Sequence, residues 1–493
     1  VAITAEQALF WVNKLYTQLS SRRAGIEKAF EYLDGKQPLE YASKEWSAFH
    51  KDRYKDFSDN WCDIVAQAPI DRLRLDGIRI GDEPDAFSVE EKLLWDDWKR
   101  NEMEAQSAQG FLASVVAKRS AVLVWADEDT QEPTSTWEHP AQVIVAYAPG
   151  TNNRVRLAAL KAWVDDDTEL ATLYLPDGVY KFKRSSATTV TNGRTPSGIH
   201  VVGAALANGL GWEPREVDGE EWPLANPFGE VPVVEFLNRP RLGADPISDI
   251  EGTMAMQDAI NLMWGYLFNA ADHASMPARV VIGAEPPKVP ILDEAGQVIG
   301  SRPAKMGDLA KGRMLFLPGA QGISQWDAAK LDVFTGVITQ AIGHVAAQTR
   351  TPGHYMLTNE KFANLNGDAL VAAEVPLAKK VEAEQTAFTP PARDVFRLYA
   401  KARNNDGLAQ QVRLAAMQWK GAETHTLSQT RDAAVKDKAV GLPLAYILEK
   451  TYGLSQPEIQ RVLDMRESEL LDPLTRQVMA GLDADPDATA QRS

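Results

Sequence analysis

The sequence predicts an α+β, mainly helical protein with two or three hydrophobic cores. Three observations point there: helical spacing of apolar residues over the first 120 positions, strand-like spacing from His139 to Phe236, and helical spacing again after Asp245. With 493 residues, 44% hydrophobic and 24% charged, the chain has the composition of a folded protein rather than a disordered one. Only Leu482–Ser493, dominated by Asp, Pro, Ala, Thr and Ser, reads as a loose tail.

Thr4 opens the first helix, with Ala8, Leu9, Trp11, Val12, Leu15, Tyr16 and Leu19 recurring at three- and four-residue steps, and Asp34-Gly35 turns the chain after Tyr32. Further helices are expected over Ser58–Arg74, Val89–Asn101 and Glu104–Arg119, with a short strand at Ile78–Ile80 and a buried one at Ala121–Trp125. The β-rich stretch places strands at Val143–Val145, Val155–Val164, Glu169–Leu175, Val179–Phe182 and Pro232–Phe236. Between them, Ser185–Gly211 is rich in Thr, Ser and Gly and reads as a loop or loose hairpin.

Asp245 then looks like an N-cap and Pro246 a first helical residue, for a helix running to about Ser275, before Pro277. Residues 278 to 326 switch to short strands, with Arg279–Ile282 and Arg313–Leu317 as candidates. Asp327 is expected to cap a second helix whose Leu331, Phe334, Ile338, Ala341, Ile342 and Val345 form one apolar stripe. That stripe fits a shared interface or the core of a monomer equally well. A longer helix spans about Asn366–Arg403 and carries Pro376 and Pro390-Pro391, where kinks are expected.

A net charge of −16 argues against an ordinary DNA-binding domain, which presents a basic face to phosphates. It suits a surface along which a polyanion slides without sticking. Cys62, the single cysteine, reads as a small buried thiol on a helix and fits a reducing compartment. Val1–Glu6 has neither a basic start nor an apolar run, so no secretory leader is expected, and no apolar stretch reaches the roughly 20 residues of a membrane span.

Reactive constellations are sparse. A Gly-x-x-x-x-Gly-Lys-Ser/Thr phosphate loop, His-Glu-x-x-His and Gly-x-Ser-x-Gly are absent, and the seven histidines lack ligand-like spacing. Asp165-Asp166-Asp167 reads as a turn between strands rather than a cation site. No catalytic residue, metal ligand or cofactor is predicted. The alternative is a metal-dependent DNA-processing enzyme, for which acidic residues are plentiful but not placed in a cluster.

Several segments together resemble the portal proteins of tailed phages, of the siphophage type. Tyr32-Leu33-Asp34-Gly35-Lys36-Gln37-Pro38-Leu39 is similar to the family's early Tyr-x-x-Gly-x-x-x-Leu turn, and Asn60–Gly77 and Trp98–Asn101 to the helices that follow. The strongest likeness is Asn226-Pro227-Phe228-Gly229-Glu230-Val231-Pro232-Val233-Val234-Glu235-Phe236, then Asn238-Arg239-Pro240, Gly243 and Asp258–Asn261. Asn364–Leu370 resembles an Asn-x-Ser-Gly-x-Ala-Leu step with Asn366 in place of Ser, and Thr426–Lys436 resembles the C-terminal run. Lys118–Ala121 departs from the pattern, where relatives have a Gly-containing step.

The resemblance implies a portal fold assembled as a ring. Residues 1–242 would form the wing, 243–275 and 327–350 the stem, 276–326 the clip, 351–366 the channel loop, 367–404 a long kinked wing helix, 405–480 the crown, and 481–493 a tail. It implies a homododecamer at one capsid vertex of the virion, put together in the host cytoplasm. The ring would contact the major capsid protein, the terminase large subunit during packaging and a head–tail adaptor afterwards, with double-stranded DNA passing non-specifically and no membrane partner. Stem packing is expected from Ile250, Met254, Trp264, Phe268, Leu331, Phe334, Ile338, Ile342 and Val345. Arg350, His354, Tyr355, Asn359 and Lys361 are the DNA-facing candidates of the channel loop. Arg302, Lys305, Lys311 and Arg313 form a basic cluster in the clip, a candidate motor or adaptor contact or else a solvated loop.

Overall fold

The computed structural model describes residues 3–37, 57–81, 88–127, 130–150, 155–185, 211–275, 279–282, 288–293, 296–303, 314–317, 322–325, 330–357, 367–423, 427–454 and 458–468. The chain divides into two compact units. The first comprises Val1–Gln37, Cys62–Thr253 and Ala346–Ser493, and the second Pro38–Trp61 and Met254–Val345.

The chain begins with α1 (Ala5–Leu33), α2 (Trp61–Ile70), β1 (Leu75–Arg79), α3 (Val89–Arg100) and α4 (Met103–Ala117). Strands β2 (Arg119–Ala126), β3 (Pro133–Glu138), β4 (Val143–Tyr147), β5 (Arg156–Asp165), β6 (Thr168–Tyr174) and β7 (Gly178–Ser185) follow, then β8 (Glu213–Pro214), β9 (Leu224–Ala225) and β10 (Val233–Leu237). Next come α5 (Met254–Ser275), β11 (Arg279–Ile282), β12 (Lys288–Leu292), β13 (Val298–Pro303), β14 (Met314–Leu317), β15 (Gly322–Gln325) and α6 (Asp332–Thr349). A one-turn α7 (Gly353–Met356), the long α8 (Gly367–Ala402), α9 (Asp406–Val412), β16 (Ala416–Trp419) and α10 (Leu427–Ala439) complete the main elements.

In the first unit, α1 starts where its sequence says it should. Thr4 accepts from the Gln7 amide while the Gln7 side chain accepts from the Thr4 amide, a reciprocal cap. Its buried stripe of Ala8, Val12, Leu15, Tyr16 and Leu19 packs with Leu160, Ala171, Leu173, Tyr180 and Phe182. Those residues come from an antiparallel sheet ordered β4-β5-β6-β7-β8, with β9 also on β7. Asp166, with φ of 50°, forms the β5–β6 turn, so the three-aspartate run is a turn as expected.

A second core centres on α8. Leu377, Val381, Phe388, Val395, Phe396 and Tyr399 join Trp95, Trp98 and Phe111 in one cluster, beside the antiparallel sheet β10-β2-β3. Phe396 stacks on Trp98 and Phe111 on Phe388, both at 5.2 Å between ring centroids. This packing holds α8 as one 36-residue helical run through Pro376, Pro390 and Pro391, against about 3 kcal/mol per interior proline. Gly110 of α4 allows a close approach: a Cβ there would lie 1.8 Å from the Trp137 ring. Cys62 is buried on α2, and β1 pairs with β16 across the length of the chain.

In the second unit, α5 is fixed by polar side chains. Gln257 accepts from the Trp61 amide at 2.7 Å and Asn261 from the Asp59 amide at 2.9 Å, while the Trp264 indole donates to Asp59 at 2.7 Å. Phe57 meets Phe268 edge-on at 5.1 Å. Two small sheets complete the unit: β11 lies between β14, to which it is parallel, and β15, while β12 and β13 form an antiparallel ribbon.

The expected helix start at Asp245 is corrected, because regular helix begins at Met254. Asp245 instead accepts from Arg119 at 3.2 Å, and its carbonyl accepts from Arg241. Asn238 holds the intervening backbone by donating to the Ile247 carbonyl and the Asp249 carboxylate. Side-chain bonds along this segment replace a helical cap. Asp327 and most of the Ser185–Gly211 stretch lie outside the described residues.

Candidate interaction surfaces

The segment 226–238 is a charged clamp within the first unit. Asn226 donates to the carbonyls of Leu175 and Glu230 and accepts from the Phe228 amide, which closes the Pro-Phe-Gly turn, with Gly229 at φ 61°. Glu230 then faces α8, where Arg397 donates to both carboxylate oxygens at 2.5 and 2.6 Å and Lys401 lies at 2.6 Å. Arg156 adds a third cation at 3.1 Å. Burial alone would raise the Glu230 pKa, but hydrogen bonds from Arg397 and Lys401 and the charges of Arg397 and Arg156 bring it down to about 2. Val233–Leu237 pairs with β2, and Glu235 accepts from Arg119 and Tyr147.

A second clamp lies under the channel-loop candidates. Glu374 receives Arg72 at 2.5 Å and His354 at 2.8 Å, and the Tyr355 hydroxyl donates to it at 3.1 Å. Arg72 also donates to the Tyr355 oxygen at 2.9 Å. Burial pushes the Tyr355 hydroxyl up; Arg72 opposes this and Glu374 reinforces it, so the phenol stays protonated at neutral pH. His354 and Tyr355 are therefore tied into the unit, although Tyr355 stays partly exposed. Arg350 stands apart from them, exposed just past α6 with a left-handed φ of 59°. Asn359 and Lys361 lie outside the described residues.

Of the stem candidates, Ile250 is fully buried in the first unit. In the second, Ile338, Ile342 and Val345 are buried, while Met254, Trp264, Phe268, Leu331 and Phe334 are half-buried. The other side of α6 begins with two exposed valines, Val333 and Val337, 62% and 48% exposed and one turn apart, and continues with the polar Gln340, His344 and Gln348. In the clip segment, Arg302 is exposed on β13 opposite Val289. The same ribbon leaves Val298 and Ile299 66% and 68% exposed, with Ile291 and Leu292 also open. Lys305, Lys311 and Arg313 lie outside the described residues.

Sequence reasoning missed both clamps. Arg397 and Lys401 are four apart on one helix face, a spacing that could have flagged a carboxylate partner, but nothing nearby in sequence points to Glu230. Among the described residues, no three His, Cys, Asp or Glu side chains group as a metal site, and no helix is long and apolar enough to cross a membrane. In both clamps the converging carboxylate is neutralised by cations, and the exposed ribbon of β12 and β13 is largely apolar.

Mutually neutralised charge inside and bare apolar ribbon and helix outside are the marks of a structural component. The chain belongs to the family described as Phage portal protein, SPP1 Gp6-like, whose profile matches residues 13–470. It is 26% identical over 392 residues to the portal protein of Mycobacterium phage L5, covering 76% of this chain and 71% of that protein. To the portal protein of Mycobacterium phage D29 it is 25% identical over 394 residues, with the same coverage. The portal family is a structural one, and its members are components of the phage particle.

Proposed function

We propose that twelve copies of this chain form a ring at one capsid vertex, through which double-stranded DNA is packaged and later ejected. Helices α5 and α6 form the stem in this reading, the ribbons between them the clip, residues 351–366 the channel loop and the segments after 405 the crown. The clip takes the terminase large subunit during packaging and a head–tail adaptor afterwards, and the wing meets the major capsid protein. DNA passes without sequence reading, and the net charge of −16 keeps the wall from trapping it.

The observation that carries the reading is the bare apolar surface of the second unit. Val298 and Ile299 of the ribbon and Val333 and Val337 of α6 are exposed, although α6 already buries a stripe of its own. Exposed valines in the first turns of a helix and a two-stranded ribbon with open aliphatics need covering, and identical neighbours in a ring supply it. Arg302, and with it Lys305, Lys311 and Arg313, would repeat around the clip as a belt of positive charge. Arg350, with Asn359 and Lys361 of the loop, would be the residues nearest the passing phosphates.

Particle mass tests this. Twelve chains of 54.2 kDa predict a particle near 650 kDa by mass photometry. A single species at the monomer mass at micromolar concentration and above would overturn the ring.

A further inference from the structure

A cavity of about 550 Å³ opens within the first unit, where the segment leading to Thr253 passes the end of α6 and the middle of α8. Arg239, Arg241, Arg350, Lys380 and Glu384 line it. This is a concentration of positive charge on a chain that is otherwise strongly acidic. Arg239 and Arg350 both hold left-handed backbone, with φ of 44° and 59°, an uncommon conformation for side chains of this size.

One side chain in this wall is buried with an acceptor left open. Glu384 is 2% exposed, and among the described residues no donor reaches either of its carboxyl oxygens. Its acidic neighbour Asp249 takes the available ones, accepting from Asn238 at 2.8 Å and pairing with Lys380, with Arg239 at 3.6 Å. Burial, the Asp249 charge and a hydrogen bond shared with Asp249 push the Glu384 carboxyl up, with Lys380 and Arg239 opposing. Glu384 donates its proton in that bond to Asp249 and keeps an oxygen that can accept from a ligand.

The cavity wants a ligand that accepts hydrogen bonds on one side and donates one on the other. The guanidinium groups of Arg239, Arg241 and Arg350 supply donors suited to oxyanions, and Glu384 supplies an acceptor. We infer that this cavity is a binding site for a hydroxyl-bearing oxyanion of the hydrogen-phosphate class, its oxygens held by Arg239, Arg241 and Arg350 and its P–OH donated to Glu384. The site lies within one chain and does not depend on the ring. Sulfate and a phosphodiester carry no hydroxyl at neutral pH, so the two halves of the site can be tested apart.

Isothermal titration calorimetry of the full chain, at constant ionic strength balanced with chloride, provides the test. Inorganic phosphate should bind saturably with one site per chain, and sulfate and dimethyl phosphate about tenfold more weakly, the worth of one charge-assisted hydrogen bond. Arg241→Ala combined with Arg350→Ala should weaken phosphate at least tenfold. Arg241→Ala also removes the bond to the Asp245 carbonyl, so Arg350→Ala alone, at an exposed residue, is the variant whose melting temperature in chloride should stay unchanged, which separates lost binding from lost fold. Glu384→Met, which removes the acceptor at similar volume, should shrink the preference for phosphate over sulfate. Phosphate heats no larger than those of chloride, or unaltered in the double arginine variant, would overturn the site. Sulfate binding as tightly as phosphate to the native chain would overturn the role of Glu384.

Discussion

The two units differ in how they deal with exposed chemistry. The first closes its charges on itself: Glu230 is wrapped by Arg397, Lys401 and Arg156, and Asp97 sits fully buried against Arg403 and Arg100. Its aromatic residues stack inward around α8. The second unit fixes α5 with a few amide and indole bonds yet leaves valines and isoleucines of β13 and α6 in solvent. The first unit exposes apolar side chains too, Phe10, Val89, Leu242 and Leu414 among them, but in the second Val289, Ile291, Leu292, Val298 and Ile299 crowd one short ribbon, which gives it a continuous interaction surface. Stability should therefore respond to changes in the first, and association to changes in the second.

The sharpest way to break that contrast is Val298→Asp with Ile299→Asp. Losing two buried aliphatics from each repeated contact should lower the ring fraction at least about tenfold in mass photometry, with the melting of the first unit unchanged. Intact rings would show that the ribbon is not a contact. Next, Gly110→Ala drives a methyl into Trp137 and should destabilise the first unit by about 3 kcal/mol in urea unfolding.

Glu230→Gln should cost about 3 kcal/mol, because Arg397 would be left buried and only partly paired. The sign of its pH dependence follows from a lowered folded pKa. The clamp contributes fully above the unfolded value of 4.5 and is lost as pH falls towards about 2, so the variant should lack that acid limb of the stability curve. The smallest change expected is Tyr355→Phe, about 0.5–1 kcal/mol, since Arg72 and His354 still hold Glu374. A larger loss would place the Tyr355 hydroxyl at the centre of that clamp.

Much of the architecture was legible because local periodicity carries it. Strands predicted at Val143–Val145, Val155–Val164, Glu169–Leu175 and Val179–Phe182 fall on β4 to β7, and the stripe Ile338, Ile342 and Val345 is buried. The long helix expected at Asn366–Arg403 spans Gly367–Ala402. The errors have a common origin. Asp245-Pro246 has the chemistry of a helix start, but Arg119 and Arg241 compete for Asp245 through contacts no local window contains. Strand β16 was missed because four residues, Ala416–Trp419, show no period by themselves and become a strand only against β1. β3 was missed too, although Thr134, Thr136 and Trp137 are strand-favouring residues. The clamps were illegible for the same reason: each joins residues separated by well over a hundred positions.

The pairing of Leu75 with Trp419 and Arg79 with Ala416 sets a schedule for the nascent chain. During translation, at about 5–20 residues per second, β1 waits on the order of tens of seconds before its partner is made. Met254–Val345 leaves the ribosome within that interval, so the later-closing unit is the one that begins first. A ribosome stalled before Ala416 would carry a chain whose inserted segment is already complete while the enclosing fold is still open.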